Sequence, residues 1–405
     1  MSIRVLLDAR KLGDGGVGVY IENLINGYLE LGGSSKTGVD FSLLLAPHVV
    51  AEQSEVGEYV RECLAEWGGE VDFLYDGAKK YSFSEYFLLP LRKQKILKNH
   101  SLYHSPHYTL PFFLGIPSII TVHDVIHVSH PDSFYHRPVA RKLISSALRR
   151  ASRVITVSRY SQSQIKKYFA DCHTPIVVVP NALRKDMLVQ DEKEMFASSH
   201  TNGLASNYLL FVGNGRPHKN LASLLKAFHK LKNRKAEGGS LGVDELVIVG
   251  EWDSSASCSR IISRRGLVNC IRTIKAPTTR ELCALYKNAR AVVIPSLEEG
   301  FSLVALEAMA AGTPVICTPL TALKELCGEH AWYSSGARSR DLLEALLRAL
   351  ADEKGCREKI CKSLARARLF NRGEVVRRTI AVYESALSLD SLQSDEVFYS
   401  RRASG

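Results

Sequence analysis

The chain has 405 residues, 45% hydrophobic and 23% charged, an ordinary globular composition long enough for two domains and unlike a disordered or fibrous protein. No stretch approaches the roughly 18 apolar residues of a membrane-spanning helix, and Arg4, Asp8 and Arg10 interrupt the start before a signal-peptide core can form. The nine cysteines include no Cys-x-x-Cys pair and no zinc-like spacing, so the expectation is reduced thiols in a soluble, cytoplasmic protein.

The net charge of +11 is unevenly placed. Residues 1–76 hold 5 Lys/Arg against 13 Asp/Glu, whereas residues 77–183 hold 15 against 4. From Arg137 to Lys167 there are nine basic residues and no acid. Val139, Leu143, Ile144, Ala147 and Leu148 recur there at helical spacing, flanked by Arg141, Lys142, Arg149 and Arg150. Such a surface attracts an anionic membrane, or is a solvated face whose apolar stripe packs on its own domain. No aromatic-basic recognition module accompanies it, which argues against nucleic acid.

In chain order, IRVLL (3–7) reads as a strand, followed by Gly13, Gly15, Gly16 and Gly18 and a helix marked by Tyr20, Ile21, Leu24, Ile25 and Tyr28. Short apolar runs near 41–47, 118–124, 152–158 and 176–181 alternate with helical patterns, the grammar of a parallel sheet of crossover units. Residues 184–206 are polar and poorly periodic and read as a linker. The same alternation restarts with runs at 208–214, 245–251, 270–274, 291–296 and 313–318, then charged helices at 341–369 and 374–388. The predicted domains are 1–183, a linker 184–206, 207–373, and a segment 374–405 whose helix crosses back to the first domain.

The most informative segment is AVVIPSLEEGFSLVALEAMAAGTPVICT, 291–318. A strand ends at Pro295-Ser296, a glycine loop follows, and a helix starts near Ser302, with Gly312 as its stop. Backbone N–H groups at that helix start suit an anion. Glu299 in the loop and Glu307 inside the helix can accept hydrogen bonds from hydroxyls, as a sugar or ribose requires; the alternative is two surface glutamates.

This segment resembles the Glu-x7-Glu signature of the retaining family-4 (group 1) glycosyltransferases, which have the α/β GT-B fold, two Rossmann-like domains facing each other across a cleft. The resemblance assigns Glu299 to the donor sugar and Glu307 to the nucleotide ribose, and brings the backbone of Gly300, Phe301, Ser302 and Leu303 to the sugar and diphosphate. Ser302 stands where the family usually has Gly, and Val304 where Pro is common. YLLFVGNGRPHKN (208–220), with Gly213, resembles the family's strand and Pro-Arg-Lys-Asn turn. Lys219 falls on the diphosphate lysine, His218 replaces the usual Arg, and Arg216 is the candidate second cation.

Three further stretches agree. DARKLGDGGVGVYIENLI resembles the family's first strand–glycine loop–helix, where Gly15, Gly16 and Gly18 would let backbone approach the donor phosphates or the acceptor; it is not GxGxxG, so an NAD site is not expected. TVHDVIHVSHP (121–131) resembles the His-Asp motif, with His123 near the reaction centre and Asp124 supporting it or facing the acceptor. VVVPNAL (177–183) resembles the family's Val-Pro-Asn-Gly stretch. Seven of the 13 histidines lie between His100 and His136, but Pro106 and the strand-like SIITVHD deny the pairs a shared helical face, so no metal is expected. YHSPHYTLPFF (103–113), with Tyr108, resembles an acceptor-side loop and is equally a rigid packed loop.

The resemblance implies a metal-independent hexosyltransferase without cofactor. It would move a sugar, mannose being one candidate, from a nucleotide-sugar to a glycan or lipid-linked acceptor in polysaccharide biosynthesis, with peripheral membrane contact through Arg137–Lys167 and no nucleic-acid partner. The alternatives are a nucleotide-sugar epimerase of the same fold and a non-catalytic nucleotide-sugar or polyanion binder.

Overall fold

The structure is a computed structural model and describes residues 2–47, 55–79, 81–130, 136–184, 187, 207–236, 242–252 and 256–388. The chain divides into two compact units, Met1–Ala182 with the segment from Asn371 onward, and Leu183–Phe370. Of the expected linker 184–206, all but residues 184 and 187 lies outside the described residues.

The first unit is built on seven parallel strands, β1 (Ile3–Asp8), β2 (Val39–Leu45), β3 (Asp72–Tyr75), β4 (Leu102–Ser105), β5 (Ser118–Val122), β6 (Arg153–Thr156) and β7 (Ile176–Val178). Their order is β3-β2-β1-β4-β5-β6-β7, so the winding direction reverses between β1 and β4. Val5, Leu6 and Leu7 are fully buried on both faces, which is why the run reads as continuous rather than alternating apolar residues. The helix Gly15–Glu30 crosses from β1 to β2, and the last helix, Arg372–Leu387, packs on it. Contact is close because position 27 is glycine: a Cβ there would meet Val376 Cγ2 at 2.8 Å and Arg372 Cβ at 2.9 Å.

The second unit repeats the plan with β8 (Tyr208–Val212), β9 (Glu245–Val249), β10 (Ile271–Ile274), β11 (Ala291–Ile294), β12 (Val315–Cys317) and β13 (Trp332–Tyr333). The parallel order is β10-β9-β8-β11-β12-β13. Counted from its own first strand this is 3-2-1-4-5-6, the doubly wound Rossmann order. Three strands lack an apolar signature in the sequence. β3 is a half-exposed edge, β13 has two residues, and β4 (LYHS) buries its polar His104 and Ser105.

The basic helix His136–Arg150 packs most of its apolar stripe on its own domain, the second of the two readings its sequence allows. Its inward face is Ala140, Ile144, Ala147 and Leu148, whereas Val139 is exposed. Of the predicted stripe, Ile144, Ala147 and Leu148 are therefore buried, Leu143 is half-buried and Val139 alone is exposed, so Ala147 is not available for insertion into a bilayer. Arg150 is a structural cation: its Nη1 and Nη2 donate to the carbonyls of Pro111 and Leu110 at 2.7 Å each, and its guanidinium lies 3.9 Å from the Phe112 ring centre. Arg149 pairs with Asp171 at 3.2 Å. No helix among the described residues is long and apolar enough to cross a membrane.

Candidate active site

In a doubly wound sheet, ligands bind beyond the carboxyl ends of the strands where the order reverses. In the second unit that point lies between β8 and β11, and the predicted cation and first carboxylate follow these two strands. Lys219 ends a short 3-10 turn, Pro217–Lys219, after β8. Glu299 lies in the loop after β11. Lys219 Nζ donates to Glu299 Oε1 at 2.8 Å, and Ser296 Oγ donates to the same oxygen at 2.6 Å. Glu299 is buried and Lys219 half-buried, so the pair is largely withdrawn from water, where such a charge-assisted bond is short and strong.

The Lys219 turn is pinned from both sides. Asn220 adopts a left-handed backbone (φ 54°), which Asn tolerates better than most residues. Its Nδ2 donates to the carbonyls of Pro295 and Ala337 at 2.9 Å each. His218, in the family's arginine position, is buried, and its carbonyl accepts the Leu297 N–H at 2.7 Å. Arg216, the expected second cation, is exposed and stands outside the Lys219–Glu299–Ser296 cluster. Gly250 closes the turn from β9: it has φ 111°, and a Cβ there would meet the Gly213 carbonyl oxygen at 2.6 Å.

The helix Leu303–Ala310 starts as predicted. Ser302 is its N-cap, with Oγ accepting the Ala305 N–H at 3.4 Å. The Leu303 and Val304 amides have no partner within the helix by position, which leaves an anion-accepting end beside Gly300 and Glu299. At the other end, Gly312 N–H donates to Met309 O and Thr313 N–H to Ala308 O, at 3.2 and 2.9 Å, the paired bonds of a Schellman stop. The helix is buried nearly all round, which its run of alanine, leucine and methionine permits. Phe301 is a core residue, edge-on to Phe370 at 5.7 Å. Glu307 is 6% exposed, and its Oε2 accepts the Tyr286 hydroxyl at 2.8 Å. Burial first, and then the Glu307 charge, push the Tyr286 phenol well above its ordinary pKa, so it stays a donor.

The remaining predicted residues belong to the first unit. Gly16 is exposed in the first turn of the helix Gly15–Glu30; Gly18 is buried, and a Cβ there would meet Gly13 N at 2.8 Å, so it permits the tight turn. His123 follows β5. Its Nε2 lies 3.0 Å from the Pro106 carbonyl, and its ring meets Tyr20 edge-on at 5.1 Å. With a carbonyl as partner, Nε2 is the protonated nitrogen, and burial lowers the imidazole pKa and keeps the ring neutral. Asp124 turns back to accept the Ile126 N–H at 3.0 Å. Tyr108 is buried, 6.1 Å from the His127 ring.

At the β1/β4 reversal of this unit lies a cluster that the sequence reading does not single out. Arg10 donates through Nε and Nη2 to Asp8 at 2.8 and 2.6 Å, and through Nη2 to Glu85 at 2.9 Å. These three residues, with Lys11, Ser105, Pro106, His107 and Thr109, line a cavity of about 10 Å³. Burial raises the Asp8 carboxyl pKa, but the Arg10 charge and hydrogen bonds from Arg10 and Tyr103 outweigh it and hold Asp8 below its ordinary value. The sequence motifs likewise assign no role to Ser296, Tyr286 and Asn220. Ser296 and Asn220 stand inside the quoted motifs, which was the available signal, whereas Tyr286 has none.

Two doubly wound parallel sheets on successive units, the second with a lysine–carboxylate pair at its reversal point, define the GT-B class of two Rossmann-like domains. The comparisons agree: a family model described as "Glycosyltransferase Family 4" matches residues 14–186, and one described as "Glycosyl transferases group 1" matches residues 192–366. The chain belongs to the group 1, family 4 glycosyltransferases. It is 30% identical to the O-antigen chain mannosyltransferase RfbU of Salmonella typhimurium over 61% of this chain and 64% of that one. It is 28% identical to the O-antigen chain mannosyltransferase B of Escherichia coli over 73% of this chain and 78% of that one. The alignment thus spans a little under two thirds of the first relative's length. Among solved structures, sucrose-phosphate synthase from Thermosynechococcus elongatus superposes with a TM-score of 0.71 at 16% identity, covering 96% of this chain and 100% of that one. Anabaena Alr3699/HepE in complex with UDP-glucose gives 0.70 at 17% identity, covering 95% and 100%. These likenesses concern the fold.

Proposed function

We propose that the protein transfers a hexose, with mannose the first candidate, from a nucleotide-sugar to a hydroxyl of a glycan or lipid-linked acceptor, with retention at the anomeric carbon. The observation that carries this reading is the Lys219–Glu299 pair at the reversal point of the second sheet. Mannose is supported by the names of the relatives, among them the MMP alpha-(1->4)-mannosyltransferase of Mycolicibacterium hassiacum.

As the glycosidic bond breaks, negative charge grows on the departing nucleoside diphosphate. Lys219 and the start of the helix Leu303–Ala310 supply a cation and backbone dipoles there without a metal. Glu299, released from Lys219 by the diphosphate, turns to the donor sugar hydroxyls. Glu307, steadied by Tyr286, holds the ribose. His123, held by Pro106, faces the sugar at the reaction centre, and Asp124 and Tyr108 take the acceptor side. No carboxylate is assigned as a covalent nucleophile. The leaving phosphate takes the acceptor proton in a front-face substitution.

The test begins with a panel of nucleotide-sugars in thermal shift, where a ligand at 100 times its dissociation constant adds about 2.7 kcal/mol of stability. Nucleoside diphosphate release that depends on a glycan acceptor supports the reading. Interconversion of the donor without acceptor identifies an epimerase, and binding without turnover identifies a silent binder.

A further inference from the structure

We propose that the helical face carrying Phe83, Phe87 and Leu91, with the adjoining loop Phe112–Phe113, is a docking surface for an anionic lipid bilayer. Six of the eleven exposed large hydrophobic side chains among the described residues lie between Tyr81 and Phe113. The π-helical turn Ser84–Leu88 runs directly into the helical turn Leu89–Arg92. Phe83, Phe87 and Leu91 therefore recur every four residues along one side, while Glu85, Tyr86, Leu89 and Pro90 are buried on the other. Phe83 is 68% exposed and Leu91 71%.

The loop extends this face rather than covering it. Phe112 N–H donates to the Tyr86 carbonyl at 2.8 Å. The Phe112 ring stacks on Phe87 at 4.9 Å and 8°, and Phe87 stacks on Phe83 at 4.8 Å. Beside them Phe113 stands 82% exposed. Stacked aromatics held on a fixed backbone but open to solvent form a contiguous apolar patch, which marks an interaction surface.

Charge selects the occupant. Between Tyr81 and Lys98 the sequence carries Arg92, Lys93, Lys95 and Lys98 against a single acid, Glu85; Arg92 pairs with Asp76 at 2.9 Å, which leaves the three lysines to make the cationic rim. Glu85 is buried and paired with Arg10, so it does not offset the outward charge. A second copy meeting this face about a two-fold axis would set cationic rim against cationic rim. An anionic bilayer answers both features: the rings and Leu91 enter the headgroup boundary and the lysines meet lipid phosphates. This surface also supplies the apolar component that the helix His136–Arg150 lacks.

The test is co-sedimentation of the full chain with vesicles of about 30% phosphatidylglycerol in phosphatidylcholine, and with phosphatidylcholine alone. Binding to the anionic vesicles is expected. It should fall at least about tenfold in a Phe83→Ser, Leu91→Ser, Phe113→Ser variant, because three large apolar contacts are lost together. A Lys93→Gln, Lys95→Gln, Lys98→Gln variant should lose the preference for anionic lipid. If the apolar triple variant fails to fold, Phe113→Trp reads the same contact, since its emission should shift to the blue on anionic vesicles. Unaltered binding by a folded triple variant, or no emission shift, overturns the proposal. So does a concentration-dependent dimer that the triple variant abolishes, which would make the face a contact between copies.

Discussion

Lys219 Nζ lies 2.8 Å from Glu299 Oε1, so cation and carboxylate neutralise each other across the β8/β11 reversal, and in the proposed mechanism the donor diphosphate competes for the lysine. Lys219→Ala should therefore keep the fold and lower turnover by about 10²–10³, the scale of losing a preorganised transition-state contact. Steady-state transfer measured beside a melting curve checks this. Normal turnover in a folded variant would remove Lys219 from the mechanism.

Glu307 is tied to Tyr286 and not to solvent. If it holds the ribose, Glu307→Ala should weaken nucleoside diphosphate binding by roughly 1.5–3 kcal/mol, the worth of hydrogen bonds to a charged group. Tyr286→Phe removes one steadying donor and should cost about 1 kcal/mol of affinity. Calorimetric titration with the free nucleoside diphosphate measures both, and unchanged affinity in Glu307→Ala would reject the ribose role.

Metal removal is a separate check on the proposed chemistry. In the proposed mechanism Lys219 and a helix start face the diphosphate, so transfer should survive EDTA. Loss on chelation with rescue by Mg²⁺ or Mn²⁺ would falsify the metal-free mechanism and return attention to the histidine-rich segment 100–136.

The second unit was legible because its chemistry is local. Strand, loop, N-cap, carboxylate and glycine stop all fall within 291–318, and each leaves a residue-type signature. What escaped notice depends on distant partners. Tyr286 reaches Glu307 from another helix, and β4 is stabilised by hydrogen bonds to its polar residues rather than by an apolar run. His104 is satisfied by Tyr383 and Thr121, and Ser105 by the His107 carbonyl. On the helix His136–Arg150, the predicted stripe shares Ile144, Ala147 and Leu148 with the buried face but starts at Val139 in place of Ala140, neighbouring positions about 100° apart around the helix. Charge and periodicity alone do not decide that choice.

Ser302 illustrates a departure from the family pattern that the backbone explains. Its φ is 79°, a left-handed conformation that costs a side-chain-bearing residue roughly 1–2 kcal/mol, which is why glycine is common there. The Oγ cap on Ala305 returns part of that cost. Ser302→Gly, which removes the strain and loses only a few tenths for the cap, should be at least as stable as the natural chain. Ser302→Ala keeps the strain without the cap and should be about 1 kcal/mol less stable. Urea midpoints order the three; Ala above Gly would contradict the left-handed assignment.

His104 links β4 to the last helix: its Nδ1 is 2.8 Å from the Tyr383 hydroxyl, and its Nε2 is 2.9 Å from Thr121 Oγ1. Burial is the main cause that lowers its pKa from 6.5 to about 3, with the neighbouring His123 acting in the same sense and Asp8 opposing. The unfolded chain thus takes up a proton near pH 6.5 that the folded chain refuses until about pH 3. Stability should fall as pH drops through that window, by up to about 1.4 kcal/mol per pH unit for this group. His123, also lowered by burial, adds in the same direction. Glu85, raised chiefly by burial, acts oppositely near and above its ordinary value of 4.5, and Asp8, held low, contributes a loss only below about its ordinary 3.8. Between about pH 5 and 6.5 the histidines therefore lower stability on acidification and Glu85 opposes them. His104→Gln, which keeps hydrogen-bonding capacity without a titrating ring, should flatten the slope there while leaving the part due to His123. Urea unfolding at a series of pH values measures it, and an unchanged slope would show that His104 does not stay neutral in the folded chain.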